Sequence, residues 1–232
     1  MKTLKIILGL HRYWKLSIFP LFTFMGVLFF NPAKSQAITG IELTKGALLA
    51  YQSPGNVYSF SDLSVEDADN RFDRSILDYI NEMRADPSAF YQKYVEEYIR
   101  EKSRRFTARY TRSLKKDMFR SPALPLFESN SVLRKTASLQ LNYLAPYKGR
   151  MLTHEQGNIS FAERMNRAKL HCLAENIYTA DDPKALDVVL DLLIDEGVPS
   201  FGHRKNLMNP MYTHIGIVSE TPAGGRMIVV MD

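Results

Sequence analysis

Apolar positions recur at helical spacing over much of the chain. Ile76, Leu77, Ile80 and Met83 follow an i, i+1, i+4, i+7 rhythm that predicts a first amphipathic helix. Asp86-Pro87 stops it and starts a second, with Asp86 as N-cap and Pro87 at the first helical position, where its missing N–H costs nothing. Phe90, Tyr91, Tyr94, Val95, Tyr98 and Ile99 then form one wide apolar face, with Glu96 and Glu97 between them. That register marks the aromatics as core rather than as a base-stacking platform. Further on, Leu133, Ala137, Leu141 and Leu144 predict another helix, capped by Ser129 or Asn130. Ser160-Phe-Ala-Glu163 reads as a capping box opening a short helix through Met165 and Ala168. Asp182-Pro183 repeats the earlier start signal ahead of Leu186, Val189, Leu190, Leu193 and Ile194, and Gly197 and Pro199 end that helix.

Strand candidates come late: Leu173 to Tyr178, His214 to Ser219, and Met227 to Met231, the last two joined by the turn signal Pro222-Ala-Gly-Gly225. Helices first and antiparallel strands last predict an α+β or layered α-β-α domain. Residues 38–69 mix Gly40, Gly46, Pro54, Gly55 and several serines with short apolar stretches, and read as an irregular N-terminal extension to a domain over 70–232.

Composition agrees with one globular domain and an appendage: 232 residues, 45% hydrophobic and 24% charged, exclude a disordered or collagen-like chain. The single cysteine, Cys172, lies in an apolar setting and reads as a small buried hydrophobe. It excludes internal disulfides and thiolate zinc clusters. The net charge of +5 changes meaning once it is divided. Residues 1–37 hold Lys2, Lys5, Arg12, Lys15 and Lys34 and no acid, which leaves 25 basic and 25 acidic residues from Ile38 onward. The same segment has a basic start, an apolar run from Leu16 to Phe30, and small residues at Ser35 and Ala37. That run of 15 falls short of the roughly 20 residues a membrane span needs. It predicts a signal peptide cleaved after Ala37 and a secreted or periplasmic protein, with membrane attachment through this segment only if it stays uncleaved.

Within the neutral remainder, nine basic side chains crowd between Arg100 and Arg120, opposed only by Glu101 and Asp117. Phe106, Tyr110 and Phe119 interleave them, in the manner of a nucleic-acid or anionic-lipid surface. A charge run has poor specificity, and this one reads as a solvated helical face or exposed connection rather than a nucleic-acid site.

No Gly-x-Ser-x-Gly elbow, His-Glu-x-x-His helix, phosphate-binding glycine loop or paired-glycine dinucleotide turn is present. The chemistry-bearing residues of the C-terminal half are His154, Glu175, Asp195, Glu196 and His203. Imidazoles with carboxylates suit a divalent metal, or a polar cluster in which each acid orients an imidazole. Separations of 21 residues from His154 to Glu175 and 28 more to His203 match no local ligand motif. His171 and His214 read as structural, and Asn158-Ile-Ser160 as a weak glycosylation pattern.

The order His154, Gly157, Glu163-Arg164, Ala174-Glu-Asn-Ile177, Gly202-His-Arg-Lys-Asn-Leu-Met208, Tyr212 and Ile215-Gly-Ile217 resembles a bacterial member of the CAP superfamily, named for cysteine-rich secretory proteins, antigen 5 and pathogenesis-related proteins. Ile80-Asn-Glu-Met-Arg84 is also similar to the family's opening helix, so the resemblance spans roughly Ile76 to Met231. It implies a three-layer α-β-α sandwich with a central, mostly antiparallel sheet, and a cleft of two histidines and two acids that in some members holds a divalent metal. By resemblance His154 and His203 are the histidines, and the metal ligands if one such as zinc is bound; Glu175 is one acid. The second is Asp195 or Glu196, with Asp195 favoured by its place one helical turn after Asp191. The chain departs from the family in its basic segment at about 100–122, longer than the usual connection.

Three functions follow as expectations. The leading one is a secreted binding module whose His/acid cleft takes a small molecule, lipid or cell-envelope ligand. The second is a metal- or histidine-dependent hydrolase, and the third is contact with an anionic surface through residues 100–120.

Overall fold

The computed structural model describes residues 70–170 and 174–232, and the backbone of two short strands, β1 (Tyr51–Gln52) and β2 (Val57–Tyr58), which pair antiparallel. The signal segment 1–37, Cys172 and His171 lie outside the described residues.

Helix α1 (Arg71–Ala85) is capped by Asn70, whose side chain accepts from the Phe72 N–H. Asp86 caps α2 (Pro87–Phe90) through the Ala89 N–H, as its position before proline predicts. The expected continuous second helix is interrupted: residues Tyr91–Val95 form a π-helical turn before α3 (Glu96–Glu101). Tyr91, Val95 and Tyr98 remain buried through the change of pitch. The basic segment is a short 3₁₀ turn (Ser103–Arg105) and a true amphipathic helix, α4 (Ala108–Arg120). Its Tyr110, Leu114 and Met118, four residues apart, are buried in the core. It is a packed helix with one solvated face, so the alternative of an exposed connection is corrected.

After β3 (Glu128–Ser129) comes α5 (Ser131–Leu144), capped by Asn130, which accepts from the Val132 and Leu133 N–H groups. Ser160 caps α6 (Phe161–Arg167) as the capping box predicts. Helix α7 (Ala185–Ile194) starts two residues later than Asp182-Pro183 suggested. Asp182 adopts a positive φ of 43°, and the Lys184 N–H donates to Asp187 at 3.1 Å instead. Helix α8 spans Gly202–Leu207.

The central sheet has the order β4 (Asn176–Ala180), β7 (Met227–Met231), β6 (Ile217–Glu220), antiparallel throughout. Alternation along the strands sends Ile177, Val218, Ile228 and Val230 toward Ala137, Leu141 and Leu144 of α5. Ile217, Val229 and Met231 face the larger cluster built from α1 and α7. The result is an α+β fold of three layers, helix, antiparallel sheet, helix. The strand expected over His214–Ser219 is split at Gly216: β5 (His214–Ile215) leaves the central sheet and pairs in parallel with β3. The reason is steric, because a Cβ at Gly216 would fall 2.2 Å from the backbone of Leu133 and Arg134, so α5 crosses at this point.

Two α1 side chains tie the layers to the loops that carry α8. Asn81 exchanges hydrogen bonds with the Phe127 backbone, donating at 2.9 Å and accepting at 2.7 Å. The buried Arg84 donates to the carbonyls of Pro125, Leu207, Asn209 and Tyr212 and lies 3.9 Å from the Phe127 ring centroid. Burial lowers its pKa to about 10, so it remains charged at neutral pH.

Candidate ligand cleft

Each of the two histidines singled out from the sequence is held by a buried carboxylate. His154 follows α5 in an irregular segment, and its Nδ1 lies 2.8 Å from Glu175 Oε1, just before β4. His203, in the first turn of α8, has its Nδ1 2.7 Å from Asp195 Oδ1 at the end of α7. An ionised carboxylate only accepts, so in both pairs Nδ1 carries a proton, and in the neutral form of either ring Nε2 is the acceptor. Exposure divides the pairs in the same way: the carboxylate side chains are 1% exposed, whereas the imidazoles are 51% and 23% exposed. The rings therefore reach solvent from a buried acidic base.

Further contacts fix the acids. Arg164 of α6, itself buried, donates to both Glu175 oxygens at 3.0 and 2.8 Å and to the His154 carbonyl at 3.1 Å. One guanidinium thus holds the acid and the backbone of the histidine that the acid orients. Asp195 takes a left-handed conformation, φ 61°, which aspartate tolerates. Its second oxygen accepts from the Arg204 N–H at 3.3 Å. Asn176 donates to the His203 carbonyl at 3.4 Å and accepts from Asn206 at 2.7 Å, which links β4 to α8.

Asp232 adds a third acid beside Glu175. Its backbone exchanges hydrogen bonds with Gly216, and the β4–β7 register continues to set it opposite Glu175. The side chain is buried, and neither carboxyl oxygen meets hydrogen-bond geometry. Burial first, and the Glu175 carboxylate second, push its pKa well above the ordinary carboxylate value despite the opposing pull of the Arg164 charge.

Of the five residues singled out from the sequence, four form these two pairs. Glu196 points elsewhere: its Oε2 accepts from the Thr107 N–H at 2.9 Å, at the start of α4. A zinc centre takes at least three protein ligands. Among the described residues no three His, Cys, Asp or Glu side chains are arranged to hold a metal ion. Each acid holds its imidazole through Nδ1, an orientation that metal-ligating histidines share, so what falls short of a zinc centre among the described residues is a third donor side chain beside the two Nε2 atoms. Arg164, Arg204 and Asp232 were not singled out as functional residues. A buried arginine looks like a surface one in composition, and the usable signal was position, since Arg164 and Arg204 stand inside the motif segments Glu163-Arg164 and Gly202-His-Arg204.

A family model described as "CAP: Cysteine-rich secretory protein family" matches residues 77–232. The chain belongs to the CAP family. The CAP domain thus begins within α1 and takes in both histidine–acid pairs and the whole central sheet. Among solved structures, the chain is similar to an outer surface protein from Borrelia burgdorferi, with 21% identity over 53% of this chain and 85% of that one and a TM-score of 0.38. It is also similar to an extracellular protein containing an SCP domain from Bacillus anthracis str. Ames, with 18% identity over 47% of this chain and a TM-score of 0.33. The match spans 34% of the Bacillus protein. No match was found among curated proteins.

Proposed function

We propose that this CAP protein is an extracellular binding module whose cleft captures a small polar ligand on the Nε2 atoms of His154 and His203. The observation that carries the reading is the pairing of both imidazoles, at Nδ1, with acids that are almost wholly buried. Such pairing fixes ring orientation and tautomer before a ligand arrives, which lowers the ordering cost of binding. Neutral Nε2 atoms accept hydrogen bonds, so the complementary ligand presents hydroxyl or amino donors, as amino sugars and other cell-envelope saccharides do. The extracellular placement rests on the signal-like composition of residues 1–37.

Nitrogen-edited NMR of the histidine side chains, recorded with a panel of amino sugars and polyols, tests the reading. Saturable shifts at the Nε2 resonances are expected, and thermal stabilisation by the same compounds should vanish in His154→Ala/His203→Ala. A response that survives intact in the double variant removes the proposal. Zinc titrated into the wild type and the double variant is expected to give equal heats, since two imidazoles fall short of the three protein ligands that a zinc centre takes and no third lies with them among the described residues.

A further inference from the structure

The solvent face of α4 is a stripe of cations. Arg109, Arg112, Lys116 and Arg120 are all exposed and recur at three- and four-residue spacing, so they share one side of the helix. The buried positions Tyr110, Leu114 and Met118 occupy the other side. At 1.5 Å per residue the stripe runs about 16 Å. None of the four forms an ion pair with a carboxylate among the described residues, although Arg109 lies above the Tyr110 and Phe201 rings and reaches the Pro199 carbonyl at 3.5 Å. Neighbouring cations are neutralised instead: Lys102 pairs with Asp187, Arg105 with Asp191, and Lys115 with Glu96. The one acid of α4, Asp117, is spent on the buried Arg204 at 2.9 Å and does not offset the stripe.

The stripe is also held rigidly. Arg204 donates to Ser113 Oγ and the Tyr110 carbonyl of α4, and to the carbonyls of Leu193 and Ile194 on α7. Glu196 closes the N-terminal end of the helix through the Thr107 N–H. A basic face on a clamped helix, without paired acids among the described residues, is complementary to a surface of fixed negative charge. At its edge Phe119 is 47% exposed, with Lys115 5.5 Å above its ring. An exposed aromatic flanking cations suits the boundary between lipid headgroups and acyl chains better than a soluble polyanion.

We infer that the Arg109/Arg112/Lys116/Arg120 face of α4 docks the protein on an anionic membrane surface through its lipid headgroups. This site is separate from the histidine cleft and does not depend on what that cleft binds.

Flotation of the full chain with phosphatidylcholine vesicles, with and without phosphatidylglycerol, tests the inference. Any affinity of residues 1–37 is common to every variant and cancels in the comparison. Wild type is expected to bind the anionic vesicles far more tightly, and to lose that preference as sodium chloride rises from about 50 to about 300 mM. Each cation near such a surface contributes about fivefold, so Arg109→Glu/Arg112→Glu/Lys116→Glu should weaken binding about 100-fold or more. Where circular dichroism shows that this variant is misfolded, Lys116→Gln/Arg120→Gln replaces it, with an expected loss of about 25-fold. Equal binding to both vesicle types, or wild-type binding by a folded charge variant, overturns the inference. So does retention on heparin by a chain that ignores anionic vesicles, which would point to a polymeric glycan.

Discussion

Burial decides the charge state of Asp73. Its carboxylate accepts from Ser219 Oγ and has Arg134 3.7 Å away, and both favour ionisation. Desolvation is the larger effect, and the pKa rises from 3.8 to about 6. A carboxyl with a higher pKa folded than unfolded binds its proton more tightly in the native state. Its stabilising contribution is complete below pH 3.8 and is lost as pH rises through about 6. Asp73→Asn removes the ionisation while keeping an acceptor for Ser219. The variant is therefore expected to gain on the order of 2–3 kcal/mol over wild type at about pH 7.5 and nothing near pH 4, as measured by urea unfolding at both values. A gain of equal size at both values would show that burial of this carboxylate is not the cause. The side chains of the cleft differ in how far the sequence disclosed them. The family resemblance that their order carries singles out His154, Glu175 and His203, since their spacing matches no local motif, and Asp195 is favoured over Glu196 by its place after Asp191. The left-handed turn at Asp195 gives the physical reason, setting it against His203 while Glu196 reaches α4. Asp232 gave no signal, because an acid at a strand end is ordinarily solvated, and only the register with Glu175 buries it.

At the scale of elements, periodicity located helices well where the apolar face was wide, as in α1, α5 and α7. It undervalued α4, where seven basic positions from Arg104 to Arg120 drew attention from the Tyr110, Leu114, Met118 stripe. It also missed the break at Gly216, since a glycine between two apolar runs reads as part of one strand until a helix is seen to cross it. What holds α4 in place is an arginine beside the cleft histidine. Arg204→Met would remove the donors to Tyr110, Leu193 and Ile194 carbonyls and leave those acceptors buried. A loss of about 3 kcal/mol or more is expected, since each buried carbonyl left unpaired costs about 1–3 kcal/mol. Hydrogen exchange should place the damage: amides of 108–120 speed up more than those of β7, if the clamp is what seats α4. Uniform acceleration across the domain would instead mark Arg204 as a general core residue.

For the whole molecule, the balance of charge is set by its parts. Thirty basic residues less the five in 1–37 leave 25, equal to the 25 acids that follow, so cleavage after Ala37 converts a chain of net +5 into a neutral one. A neutral CAP protein has no general attraction for an anionic surface, and only an uneven distribution such as the α4 stripe can supply one. The two properties are open to one measurement on protein collected outside the cells. Its intact mass and first residue are expected to place the N-terminus at Ile38, and its isoelectric point should fall from about 9.2 toward neutrality. The released form should still bind anionic vesicles with the salt dependence given above, because none of the four stripe residues has been removed. Protein that begins at Met1 and sediments with membranes would show instead that the apolar run Leu16 to Phe30 acts as an anchor, with the α4 face then serving to orient a tethered domain.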